Sequence, residues 1–280
     1  MKWQGRQGSG NILDRRGSRR GLAIGGGLGG IVIAIIIFLL GGDPSQLLNT
    51  SPGDNGAGTE QVVASREEEE MAQFVSVVLK DTETVWGKIF EQSGSTYSQP
   101  KLVMFRDQVQ SACGLASSAS GPFYCPEDQM VYIDLSFCDL LRTKFGANGD
   151  FAVAYVIAHE VGHHVQNLMG ILQKVDRQKS KLSEREANKL QVDVELQADF
   201  LAGMWAHYAQ SMLNTLDTGD IEEAMNAAAA VGDDALQMKY QGRVVPDAFT
   251  HGTSAQRKAW FKKGWQSGEF SQGDTFGSGF

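Results

Sequence analysis

The chain has 280 residues, 42% of them hydrophobic, which is enough to bury one substantial core and at most a small annex. Its formal net charge is −8; the first twenty residues carry +5 (Lys2, Arg6, Arg15, Arg16, Arg19 and Arg20 against Asp14), so the remainder stands at −13. A body this acidic argues against sequence-independent nucleic-acid binding, which needs a basic surface.

The basic head, residues 1–20, calls for another explanation. Residues 21–40 carry no charge, and the run from Ile31 to Leu40 is apolar throughout, so the stretch is long enough to cross a bilayer once. It is long for the core of a signal peptide, and no clear A-x-A cleavage site follows. The expectation is an uncleaved transmembrane anchor, with the head in the cytoplasm and the acidic body outside. Gly26 and Gly30, spaced as G-x-x-x-G, would let two anchors approach in a weak homodimer. Residues 41–62, rich in Gly, Asp, Asn, Ser and Pro, read as a flexible linker to a body spanning 63–266.

Within the body, apolar residues from Met71 to Phe90 recur at helical spacing, predicting a helix from Arg66 to about Gln92, with Glu67 to Glu70 placed where carboxylates favour the helix dipole. Lys101 to Phe105 reads as a short strand. Of three cysteines, Cys113 and Cys125 are expected to pair, because Gly114, Gly121 and Pro122 let the chain between them turn back, and a body outside the cytoplasm permits a bridge. Cys138 is expected to be a buried thiol. Met130 to Phe137 alternates apolar with polar residues and predicts a half-buried strand, either an ordinary sheet strand or an edge along which an extended peptide lies.

The central motif is His159-Glu-Val-Gly-His163, the pattern H-E-x-x-H in an apolar helical run bounded by Asp150 as N-cap and Gly170 as stop. Histidines at i and i+4 share one helical face about 6 Å apart, so both imidazoles can converge on one metal, and Glu160 can reach a water on it. Zinc suits imidazole ligands, and a catalytic zinc takes three protein ligands and keeps one open position. Glu195 can be the third ligand, with Glu184, Glu186 and Asp193 as competitors. Asp199, one turn beyond Glu195 on a face lined by Ala198, Ala202 and Ala206, can accept the outer N–H of a ligating histidine.

Further along, Asp220 to Ala230 is strongly helix-forming, and Gly232 interrupts before Asp233. His251 precedes a final helix that Thr253 and Gln256 can open as a capping box, which is enough to make it a loop histidine; the alternative is a catalytic hydrogen-bond donor to the transition state. Residues 267–280 read as a flexible tail.

Together, His159-Glu-x-x-His163 and Glu195-x-x-x-Asp199 resemble the gluzincin metallopeptidases. Gly121-Pro-Phe-Tyr-Cys125-Pro, Val131-Tyr-Ile-Asp134-Leu, the His159 to Gln166 run, Glu195 to Asp199 and Thr250 to Arg257 are similar, more closely, to the bacterial putative neutral zinc metallopeptidase family. That resemblance implies a zincin-like, mostly helical α+β domain, zinc held by His159, His163 and Glu195, Glu160 as general base, Asp199 behind a ligand, and a peptide or protein substrate. Cys138 stands where an aromatic residue is expected in the family. The function expected is a zinc metallopeptidase anchored in the bacterial inner membrane, an endopeptidase rather than an exopeptidase. The rivals are a tethered assembly or chaperone-like factor with a structural or vestigial zinc site, and a zinc amidase acting on cell-wall peptides.

Overall fold

The structure, a computed structural model, describes residues 1–17, 64–143 and 149–277. The anchor expected at 21–40, its Gly26–Gly30 contact and the linker at 41–62 lie outside the described residues. Among the described residues no helix is long and apolar enough to cross a membrane.

The head is not a separate unit. Strand β1 (Ile12–Asp14) joins the body's sheet, and the Met1 side chain is buried in its core. Among the described residues of the head, positive groups meet partners within the protein. The Met1 amine bonds Asp150 at 2.8 Å and Asp220 at 3.4 Å, Arg6 makes a bidentate pair with Asp81, and Arg16 reaches Asp14, Glu68 and Glu69.

Helix α1 (Arg66–Gln92) opens on Ser65, whose hydroxyl accepts from the Glu68 amide, and buries Phe74, Val78, Val85 and Trp86. Strand β2 (Lys101–Phe105), the hairpin β3 (Gln108–Ser111) and β4 (Gly114–Ser117), β5 (Phe123–Cys125) and β6 (Met130–Asp134) follow. The main sheet runs β1-β2-β6-β5, parallel except for β5, which pairs antiparallel with β6 at the edge. Cys113 and Cys125 are joined, Cα atoms 5.8 Å apart, tying the hairpin tip to β5.

Strand β6 stops at Asp134 rather than continuing to Phe137. The Asp134 carboxylate accepts the amides of Asp107 and Ser136 and so turns the chain into helix α2 (Ser136–Thr143). Cys138 therefore lies on a helix, its thiol pushed up to about 12 by burial.

Helix α3 (Asp150–Leu168) carries the H-E-x-x-H motif through the middle of the molecule, buried on nearly every side. Asp150 is its first residue, not its cap. Gly149 takes the cap position at φ 110°, where a Cβ would collide with Glu223, and Glu223 accepts the Phe151 amide instead. After α4 (Ile171–Lys179), α5 (Glu184–Tyr208) starts on a Ser183–Glu186 capping box and packs across α3. Gly162 permits that packing: a Cβ there would stand 3.0 Å from the Ala198 carbonyl oxygen.

Helices α6 (Asp220–Ala230), α7 (Asp233–Gln241) and α8 (Ser254–Ser267) close the far side. The crossing of α5 and α8 is closer still, since a Cβ on Gly203 would lie 2.0 Å from Phe261 O, and one on Gly264 2.0 Å from Phe200 O. The tail, expected to be flexible, packs back on the body as far as Thr275. Phe270 lies against Trp86, the Gly273 carbonyl accepts from Gln197, and Thr275 Oγ1 donates to Asp193 O.

Candidate metal centre

Helices α3 and α5 bring His159, His163 and Glu195 together, with one ligand atom from each lying within 4.8 Å of the others. Glu195 Oε2 is 3.1 Å from His159 Nε2 and 3.5 Å from His163 Nε2. A tetrahedral zinc with bonds of about 2.0–2.2 Å sets its ligand atoms about 3.3 Å apart, so the two distances bracket what the ion needs. The donors are the borderline and hard ligands zinc takes in hydrolytic sites, and they leave a fourth direction open.

Each of the three has a partner on its far side. His159 Nδ1 meets Asp199 Oδ1 at 2.9 Å, His163 Nδ1 meets Gln166 Oε1 at 2.8 Å, and Glu195 Oε1 accepts from Gln191 Nε2 at 2.9 Å. Gln166 in turn donates to Val194 O and Gln197, and Gln191 accepts from Lys179 Nζ at 2.7 Å. With the outer atoms occupied, both Nε2 atoms and Glu195 Oε2 are turned inward.

Electrostatics agree with the geometry. Burial would raise the Glu195 carboxyl, but the imidazoles of His163 and His159 hold it well below the usual carboxylate range. Burial likewise opposes protonation of His159, and Asp199 and Glu195 together override it, taking that imidazole up to about 9. Glu160, only 8% exposed, bonds to none of the described residues and stands outside the three-residue group. A carboxylate that no described residue bonds, next in sequence to a converging ligand, is free to accept a proton from water.

The competing acids are elsewhere. Glu184 and Glu186 are exposed in the first turn of α5, Glu186 being used by the capping box, and Asp193 lies under the tail beside Asp274. His251 comes near Glu195 from the loop before α8. Asp233 Oδ2 accepts the amides of Thr250, His251 and Gly252 at 2.8, 2.6 and 2.9 Å, and Asp233 Oδ1 is 3.3 Å from His251 Nδ1. Burial opposes charge on this histidine, but Asp233 and Glu195 raise its pKa. His164, next to the motif, is structural: Nε2 donates to Ser98 O at 2.6 Å and Nδ1 accepts from Tyr124 Oη at 3.0 Å.

Sequence reasoning missed Gln166, Gln191, Tyr155, Asp233 and Arg257. Gln166, Gln191 and Tyr155 stand three or four residues from a ligand on its own helix, a spacing that could have found them. Arg257 closes the Thr250 to Arg257 run, but the capping box already accounted for that stretch and hid its role.

A family model described as "Putative neutral zinc metallopeptidase" matches residues 1–276. The uncharacterized protein YpfJ of Escherichia coli K12 is 50% identical over 287 aligned positions, covering 99% of each chain. The uncharacterized protein Rv2575 of Mycobacterium tuberculosis H37Rv is 40% identical, covering 85% of this chain and 84% of its own. No solved structure matches.

Proposed function

The chain belongs to the neutral zinc metallopeptidase family whose model spans it, and its cofactor is zinc; from that premise we propose that it hydrolyses internal peptide bonds of proteins or peptides at the α3–α5 site. The observation that carries the reading is the pairing of three inward-turned ligand atoms with Glu160, whose carboxylate no described residue bonds. A purely structural site has no use for such a base.

Zinc, when bound by His159, His163 and Glu195, supplies Lewis acidity toward the scissile carbonyl and toward water. Glu160 takes the proton from the attacking water and passes it to the departing amine. His251, whose ring Asp233 orients, donates a hydrogen bond to the oxygen that gains charge as the carbonyl becomes tetrahedral. The buried floor of α3 keeps bulk water away from these groups.

Attachment to the membrane through residues 21–40, with the body outside the cytoplasm, is part of the proposal. The fold sets one condition on it, since head and body can lie on opposite sides only in molecules whose first 17 residues have left the body.

The test uses the purified full chain. Metal analysis is expected to find about one zinc per chain, and an unstructured protein is cleaved until a chelator removes the metal. Glu160→Gln keeps the zinc and loses at least about a hundredfold in rate. A zinc-loaded protein that leaves unstructured protein intact but opens cell-wall peptides would replace this reading with the amidase one.

A further inference from the structure

We propose that Arg257 and Tyr155 are positioning residues that clamp the Asp199 carboxylate and, through it, fix the angle at which His159 meets the metal. The proposal rests on the zinc reading above.

Asp199 is completely buried and takes four donated bonds on two oxygens. Oδ1 accepts from Tyr155 Oη at 2.5 Å, from His159 Nδ1 at 2.9 Å and from Arg257 Nη2 at 3.0 Å, while Oδ2 accepts from Arg257 Nε at 2.8 Å. The two parallel bonds from a planar guanidinium force the carboxylate into its plane. The orientation of Asp199 is therefore dictated from α8, across the close α5–α8 crossing, rather than by α5 alone. Arg257 is itself held, since Nη2 also donates to Tyr155 Oη at 3.1 Å and Nη1 to Val231 O at 3.3 Å, just past the end of α6.

A carboxylate bonded to an imidazole alone can rotate about Cβ–Cγ and tilt the ring with it. Here Arg257 fills the in-plane positions on one side and Tyr155, one turn before His159 on α3, fills another. What remains of Oδ1 faces Nδ1. With the Nε2 lone pair turned to the metal, Nδ1 carries the hydrogen, so the 3.5 Å approach of Arg257 Nη2 to it sets donor against donor. That contact is repulsive and keeps the ring on the carboxylate side. Charge pairing adds a second requirement, because a carboxylate buried this deeply is tolerated only beside a fixed cation.

The experiment is a zinc titration against a chromophoric chelator, paired with the visible spectrum of the cobalt(II)-substituted protein, whose bands report ligand geometry. Arg257→Lys keeps the charge but loses the fork; it is expected to weaken zinc binding about 10- to 100-fold and to shift the cobalt bands. Tyr155→Phe is expected to weaken binding about fivefold. In an Asp199→Asn background Arg257→Lys adds less than about twofold, because its effect passes through Asp199.

The proposal is overturned if both single variants bind zinc as the wild type does with unchanged cobalt bands, or if the Arg257→Lys loss persists undiminished with Asn at 199. Should Arg257→Lys fail to fold, as a shifted unfolding curve of the metal-free protein would reveal, Tyr155→Phe carries the same decision alone. A wild-type chain that binds no zinc removes the zinc reading and this inference with it, an outcome distinct from equal binding by wild type and variants.

Discussion

Gln191 stands one helical turn before Glu195 and donates to its Oε1 at 2.9 Å, leaving Oε2 to face the two histidines. On the proposed assignment the bond would leave Glu195 a single oxygen to offer a metal, the other being occupied. Gln191→Leu keeps the volume and removes the donor; zinc affinity is expected to fall about 10- to 100-fold, read by competition with a chelating dye.

Glu195 and Glu186 sit on the same helix and should behave oppositely. Glu195→Ala is expected to lose both zinc and peptide cleavage. Glu186→Ala keeps both and lowers stability slightly through the broken capping box, measured by denaturant unfolding. Tight zinc binding by Glu195→Ala would overturn the ligand assignment.

His251 is placed beside the metal group without belonging to it. His251→Phe is expected to retain full zinc, lower kcat about 10²- to 10³-fold and leave KM nearly unchanged, as the loss of a bond made only in the transition state would do. A loop histidine with no chemical part would leave kcat within a few fold.

Asp193 supplies the pH test. Burial, with Asp274 nearby and Lys189 only partly offsetting them, pushes its carboxyl up to about 6, above the value of about 3.9 for an unfolded chain. Between those two values the folded state binds more protons than the unfolded one, so this group's contribution to stability falls as pH rises through that window. Asp193→Asn is therefore expected to raise Tm at pH 7.5 and to leave it nearly unchanged at pH 4. An equal shift at both values would mean that the charge is not the cause.

Those acids also show which parts of the site could be read from sequence. His159, Glu160 and His163 were legible because one helical turn fixes their mutual placement, and Glu195 with Asp199 because a second helix repeats the spacing on an alanine-lined face. The docking of α5 on α3 was not legible, since it depends on Gly162 meeting Ala198 across 36 residues. Arg257 lies 58 residues from Asp199, and nothing local distinguishes an arginine inside a helix from one on its surface. For the fold, alternation carried β6 past its end because it records which side chains are buried but not where a carboxylate such as Asp134 turns the backbone. Composition counts Arg6 and Arg16 as free charge and cannot see Asp81 or Glu69.

Arg16 Nη2 lies 3.0 Å from Glu69 Oε1, so the described chain before residue 18 and the described chain after residue 63 meet at one spot on the body. A segment that traverses a bilayer once delivers its flanks to opposite faces of about 30 Å of hydrocarbon. Docking of the head and a single traverse by residues 21–40 are therefore mutually exclusive within one molecule. During synthesis the head and residues 21–40 emerge well before β2, the strand on which β1 must pair. Were residues 21–40 to insert as proposed before β2 is made, the head would be held away from the strand on which β1 pairs.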